Sequence, residues 1–214
     1  MKRKQNKTGL TIAEILVAIA IVAILAVGLY SVGSYVETQS KITLTESTIE
    51  TLVAALDEYH DFYGKFPFDA DENYGRNELK ANSNGLDGDV TDKAGNSLPA
   101  ADYNDVYASG EALYHFLNKC PSSKKIVNSI NLSLLTNKDN KNREYFFEFN
   151  SDPGQAYPLR HIIDPWETPL RYTYEQGDNF PVITSAGRDG KFGDRGATDK
   201  DPNNSQDNIT SRKL

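Results

Sequence analysis

Residues 10 to 36 read LTIAEILVAIAIVAILAVGLYSVGSYV, a run in which Glu14 is the only charged residue. An α-helix rises about 1.5 Å per residue, so roughly 20 apolar residues cross a bilayer core. By length and polarity the run meets that requirement. Lys2, Arg3, Lys4 and Lys7 precede it, and no further basic residue occurs until Lys41. Basic flanks stay on the cytoplasmic side, which places the C-terminal body beyond the inner membrane.

A cleaved secretory signal fits poorly, because the apolar run is too long and Ser31 to Ser34 is a weak small-residue cleavage site. A plain signal anchor fits the length but does not account for Glu14, except as an acid that snorkels to the interface. A carboxylate in an apolar helix costs on the order of 3 kcal/mol to insert and is usually paired and functional. A third reading does account for it. Gly9-Leu10-Thr11-Ile12-Ala13-Glu14 followed by the aliphatic run Ile15 to Leu25 resembles the type IV prepilin signature. The resemblance implies that a membrane-embedded prepilin peptidase cuts after Gly9 and methylates the new N-terminus, Leu10. Leu10 departs mildly from the Phe or Met usual there. Gly9 lets an extended backbone enter a protease cleft without side-chain obstruction. Glu14 of one subunit would then neutralise the α-amine of a neighbour, each charge being far costlier alone in an apolar bundle than paired.

The chain carries a formal charge of −7, and four of its basic residues lie in the first nine, so the remainder is more acidic still. Such a body lacks the clustered Lys and Arg of a phosphate-binding face, which excludes nucleic acid as a partner. It leaves carboxylates available for hard cations. Cys120 is the single cysteine, so no intrachain disulfide forms; it reads as a small, partly buried hydrophobe before Pro121.

Beyond residue 36 the sequence turns polar but keeps helical periodicity. Ile49, Leu52, Val53, Leu56, Tyr59 and Tyr63 make one apolar stripe, with Glu46, Glu50, Asp57, Glu58 and Asp61 around it. Gly64 supplies a C-terminal stop and Pro67 prevents continuation. A helix over 10 to 63 would be roughly 80 Å long. The stretch from Ile49 to Pro67 resembles the corresponding helix end of the major pseudopilin of type II secretion systems, with Phe62-Tyr63 replacing a short acidic turn.

Residues 68 to 110 are rich in Asn, Asp and Gly and predict a long loop or insertion. A short helix is expected over 110 to 118 and strands at 145 to 149, at Leu170 to Tyr174 and at 180 to 185. The segment Asp164-Pro165-Trp166-Glu167-Thr168-Pro169-Leu170-Arg171-Tyr172 resembles the Asp-Pro-Trp-Gly hallmark of the same pseudopilins, with Glu167 where Gly is usual. Asp164, Pro165, Trp166 and Pro169 are its turn-forming residues, and Trp166 is expected to pack in the core.

The segment 185 to 209 is dense in Gly, Asp and Asn, and suits Ca²⁺, which takes six to eight oxygens in flexible geometry. It lacks the order of an EF-hand and could equally be a solvated acidic loop. The resemblance implies a structural calcium here, with Asp189, Asp207 and Asn208 matching family ligands and Asp194, Asp199 or Asp201 as substitutes.

His60, His115 and His161 are scattered in sequence, and no H-E-x-x-H, G-x-S-x-G, P-loop or G-x-G-x-x-G occurs. An enzyme is therefore disfavoured; it would show a deep pocket with converging ionisable groups. The expected architecture is α+β, a long N-terminal helix packed on a small antiparallel sheet with long loops, as in pilins and pseudopilins. Its expected divisions are a cleaved leader 1–9, a transmembrane and filament-core helix 10–36, an amphipathic continuation 37–64 and a head 65–214. The head would include the 68–110 insertion and the 185–209 loop. The resemblance implies a homopolymeric pseudopilus subunit in the periplasm, working with prepilin peptidase, other pseudopilins and an inner-membrane platform. The alternatives are a surface type IV pilus subunit for adhesion, motility or DNA uptake and, behind it, a membrane-anchored enzyme.

Overall fold

The computed structural model describes residues 12–67, 88–96, 105–139, 141–149, 154–174, 178–192 and 207–213, with the side chains of 27–31, 88, 89, 105, 106, 149 and 213 excepted. The leader, Gly9 and Leu10 lie outside these residues, as do Asp194, Asp199 and Asp201. The architecture is α+β, as expected: a long N-terminal helix, α1 (Ile12–Tyr63), followed by short helices and small antiparallel sheets. The chain divides into two compact units, Met1–Ser40 and Lys41–Leu214.

In the first unit α1 is apolar around its whole circumference. Ile12, Leu16, Val17, Ile19, Ile21, Val22, Ile24 and Leu25 are all exposed. Successive residues on a helix step by about 100°, so these cover every face. Among the described residues no helix is long and apolar enough to cross a membrane.

In the second unit the pattern becomes one-sided. Ile49, Leu52, Leu56 and Tyr59 enter the core, together with Ala55. Thr45 and Thr48 extend that stripe toward the N-terminus, buried with their hydroxyls donating to the carbonyls of Lys41 and Leu44. Tyr63, expected on the same stripe, is 42% exposed and lies 4.6 Å from the Tyr59 ring, between centroids. The helix ends where the sequence places its stop: Gly64 adopts φ +70° and its N–H donates to the His60 carbonyl at 2.7 Å.

Strand β1 (Gly88–Thr91) pairs antiparallel with β3 (Phe146–Phe149), which pairs with β4 (Ala156–Pro158). A second sheet joins β2 (Leu135–Thr136) to β5 (His161–Ile162). A third runs β6 (Arg171–Thr173), β7 (Val182–Ser185) and β8 (Ile209–Thr210). Thus the strands expected at 145–149, 170–174 and 180–185 are present, distributed over separate small sheets. Two differences concern the segment 68–110. It contains β1, and helix α2 (Asp105–Lys119) begins before Gly110 and passes through it.

Helix α2 packs against β5, β6 and the short helix α3 (Pro121–Val127). Cys120 caps α3, fully buried, with Sγ 3.8 Å from the Glu58 carbonyl of α1. Phe66 closes the core beyond the helix end, its ring edge-on to Tyr174 and Phe180.

Candidate assembly helix and cation loop

Glu14 sits in the first turn of α1 and is the only acid there. The first N–H groups of a helix carry partial positive charge, so an acid in this turn suits the local field while the surrounding side chains remain apolar. This is the setting a charge-neutralising contact would need.

The head motif folds as a tight turn organised by one carboxylate. Asp164 Oδ1 accepts from the Trp166 and Thr168 N–H groups, each at 2.9 Å, and its own N–H donates to the Thr168 carbonyl at 2.8 Å. Asp164 Oδ2 accepts from the Ser185 hydroxyl at 2.6 Å. Burial pushes the Asp164 carboxyl above the ordinary carboxylate range, against the opposing pull of these donors. Glu167 takes φ +68°, the left-handed backbone that the glycine usual at this position would adopt freely. Pro169 is buried, but Trp166 is half-buried and outside the core cluster, contrary to the expectation of core packing. Leu170 and Tyr172 of the following segment are buried in the core instead.

The stretches 49–67 and 163–174 meet physically. The Tyr172 hydroxyl donates to the Pro67 carbonyl at 2.7 Å, across a chain separation of 105 residues. Burial drives the Tyr172 phenol strongly upward, so it stays a protonated donor.

At the C-terminal loop the described residues bring Asp189, Asp207 and Asn208 together. The Asp189 N–H donates to Asp207 Oδ2 at 3.0 Å, and Asn208 Nδ2 donates to the Phe192 carbonyl at 3.1 Å. That second contact fixes the amide orientation and leaves Asn208 Oδ1 buried without a hydrogen-bond partner. The Asp189 carboxylate accepts from the Lys191 N–H at 2.8 Å within its own turn. Among the described residues no group of three or more His, Cys, Asp or Glu is arranged to hold a metal, and three of the expected acids lie outside them. In the segment 68–110, Asp92 is committed to its own turn, accepting from the N–H groups of Ala94 and Asn96 and from the Asn96 side chain.

Sequence reasoning missed one polar pair. Glu111 of α2 and His161 of β5 are fully buried, with Oε1 and Nδ1 3.5 Å apart, long for a hydrogen bond. Burial raises the Glu111 carboxyl, and the contact with His161 opposes that shift. The two are 50 positions apart in sequence, and no spacing pattern joins them. Two grooves, of about 260 and 250 Å³, flank Tyr114 and Arg160. The first is mainly apolar, lined by Val127, Ile130, Leu135 and Ile162. The second gathers Glu111, His115 and Asn118, but no serine, threonine or cysteine lines it. Burial, aided by Lys119, holds the His115 imidazole down at about 4, so it is neutral at pH 7.

No curated protein and no solved structure matches the chain. One family description does match, the prokaryotic N-terminal methylation motif, over residues 4–30. The matched segment contains Gly9, Leu10 and Glu14 and the start of the apolar helix, and such a motif implies processing by a prepilin peptidase and pilus-like assembly. The chain therefore carries a prokaryotic N-terminal methylation motif, and that motif supports a type IV pilin-like protein.

Proposed function

We propose that the chain is a structural, non-catalytic filament subunit of the pseudopilin kind. In this reading the leader 1–9 is removed after Gly9, Leu10 is N-methylated and 10–36 anchors the subunit in the inner membrane. Residues 37–64 continue the helix into a periplasmic head, 65–214. Copies then leave the membrane for a short pseudopilus that supports protein export, guided by other pseudopilins and an inner-membrane platform. One observation carries this most: the methylation motif coincides with a helix whose exposed apolar side chains cover every face and whose first turn holds a single acid, Glu14. Such a surface is stable in lipid or against copies of itself, not in water. The convergence of the 49–67 and 163–174 stretches at Tyr172 and Pro67 supports the narrower pseudopilin reading. Asp164, Pro165, Trp166 and Pro169 serve as its structural head motif.

We further propose a structural calcium in the 185–209 loop. Asp189, Asp207 and Asn208 would hold it, with Asp194, Asp199 or Asp201 completing the shell. A bound divalent cation would tie the loop ends together without any catalytic step.

The assembly reading is tested in cells that express the full chain with prepilin peptidase. Mass spectrometry should find a mature N-terminus at Leu10 carrying one methyl group. Glu14→Gln should be cut normally yet enter filaments at least tenfold less. Wild-type incorporation by that variant would sink the role given to Glu14. Supplying a secretion platform or a surface-pilus platform separates the two filament types: assembly on the latter alone favours the surface pilus.

A further inference from the structure

We infer that the head carries its own contact between copies, in which Phe62 of one subunit enters the apolar groove beside Arg160 of the next while Glu58 and Asp61 meet the basic rim of that groove. The inference rests on the filament reading above and adds a contact that the N-terminal apolar helix does not supply. Among the described large apolar side chains of the head, Leu132 at 78% and Phe62 at 61% are the most exposed. They lie apart in the fold: Leu132 lines the groove, and Phe62 stands in the last turn of α1.

The groove side is basic in an acidic chain. Residues 112–138 carry Lys119, Lys124, Lys125 and Lys138 and no acid, although the formal charge of the chain is −7. Lys119 lies over the Phe116 ring, and Lys138 stands beside Glu144. Lys124 and Lys125 of α3, and Arg160 at the groove, are exposed and form no ion pair among the described residues. Helix α3 also brings Val127 to the groove, whose other walls include Ile130, Leu135 and Ile162. The groove holds about 260 Å³, whereas a dry cavity of about 150 Å³ already takes a benzene ring. Apolar walls behind a cationic rim suit an aromatic side chain flanked by acids.

The end of α1 presents that combination. Residues 50–63 carry Glu50, Asp57, Glu58 and Asp61 and no Lys or Arg. Glu58 precedes Asp61 by three positions and Phe62 by four, so the three are neighbours on one face of the helix, and all are exposed. The Phe62 ring stands edge-on to Tyr63, 4.8 Å between centroids, outside the core cluster. Burying the ring in the groove of another copy supplies apolar contact, and the opposite charges steer the approach and fix its register. Knob and groove are different patches of one chain, so the contact is heterologous. A copy whose groove is filled still presents its own Phe62, and such a contact propagates as an open filament where its rotation does not close a ring.

The test uses the full chain expressed with prepilin peptidase and a secretion platform. Filament incorporation is measured beside thermal unfolding of the processed subunit in detergent micelles. Phe62→Ser and Arg160→Glu should each be processed and melt as wild type does, yet enter filaments about tenfold less. Reversing the knob (Glu58→Lys with Asp61→Lys) or the rim (Lys124→Glu, Lys125→Glu and Arg160→Glu together) should lower incorporation similarly. Combining the two reversals should restore it to within about threefold of wild type. If a variant melts below wild type, this recovery decides, because a folding defect is not mended by a change on another element. Wild-type incorporation by Phe62→Ser and Arg160→Glu overturns the head contact and leaves the filament reading standing. Reversals that fail to restore each other show that the basic groove meets a different acidic partner, and overturn the self-contact. A wild-type chain that forms no filaments overturns the filament reading, and this inference with it.

Discussion

Tyr172 and Glu167 show opposite ways in which a single side chain sets the head's stability. Tyr172 is 1% exposed and its hydroxyl satisfies the Pro67 carbonyl at the end of the α1 extension. Tyr172→Phe keeps the ring but strands that acceptor, and should cost about 1–2 kcal/mol in urea unfolding. Glu167 does the reverse: it is exposed, and its φ of +68° is a backbone state that costs an L residue roughly 1–2 kcal/mol. Part of this is offset by the larger unfolded-state entropy of glycine, so Glu167→Gly should stabilise by about 0.5–1 kcal/mol. A loss of stability would mean that the Glu167 side chain makes a compensating contact. In the sequence, Glu167 reads as a departure from a Gly-bearing turn. What could not be read there was that the turn survives the change, because Asp164 supplies enough hydrogen bonds to impose the conformation.

At the scale of elements, legibility followed the strength of the local pattern. The long helix α1 and its end at Tyr63 were readable, since a long apolar run, a 3-4 stripe and Gly64 all point the same way. Strand β1 was not, because Gly88-Asp-Val-Thr91 has little strand propensity and owes its form to pairing with Phe146–Phe149. The start of α2 was hidden by Gly110, which reads as a boundary but lies inside the helix. The physical reason is close approach: a Cβ on Gly110 would sit 3.0 Å from the Leu170 carbonyl and 3.5 Å from the His161 Cβ. Gly110→Ala should therefore destabilise by about 1 kcal/mol or more, although alanine is the better helix former by a similar amount. Thermal unfolding of the variant settles this, and a higher melting temperature would show that β6 can give way. The Glu111–His161 pair belongs to the same contact between α2 and β5, and only the tertiary packing reveals it.

For the molecule as a whole, the buried ionisable groups make stability depend on pH in two directions. Glu111 and Asp164 are raised by burial, so their folded forms hold protons that the unfolded chain has lost. Their contribution is present below the ordinary carboxylate value and fades as pH rises through the raised folded values. His115 runs the other way. Its folded value of about 4 lies below the ordinary imidazole value of 6.5, so between these limits the unfolded chain binds more protons. Stability is then lost as pH falls through that window. For a half-buried group, solvent screening brings the effect to roughly 1–2 kcal/mol. His115→Gln, which removes the titration, should therefore gain on wild type progressively from pH 6.5 down to 4 in urea unfolding at fixed ionic strength. Above pH 7 the two curves should run parallel, since the imidazole is neutral in both states there. A constant offset across the whole range would instead assign His115 a packing role in the groove between α2 and β4, with no part in the acid response of the head.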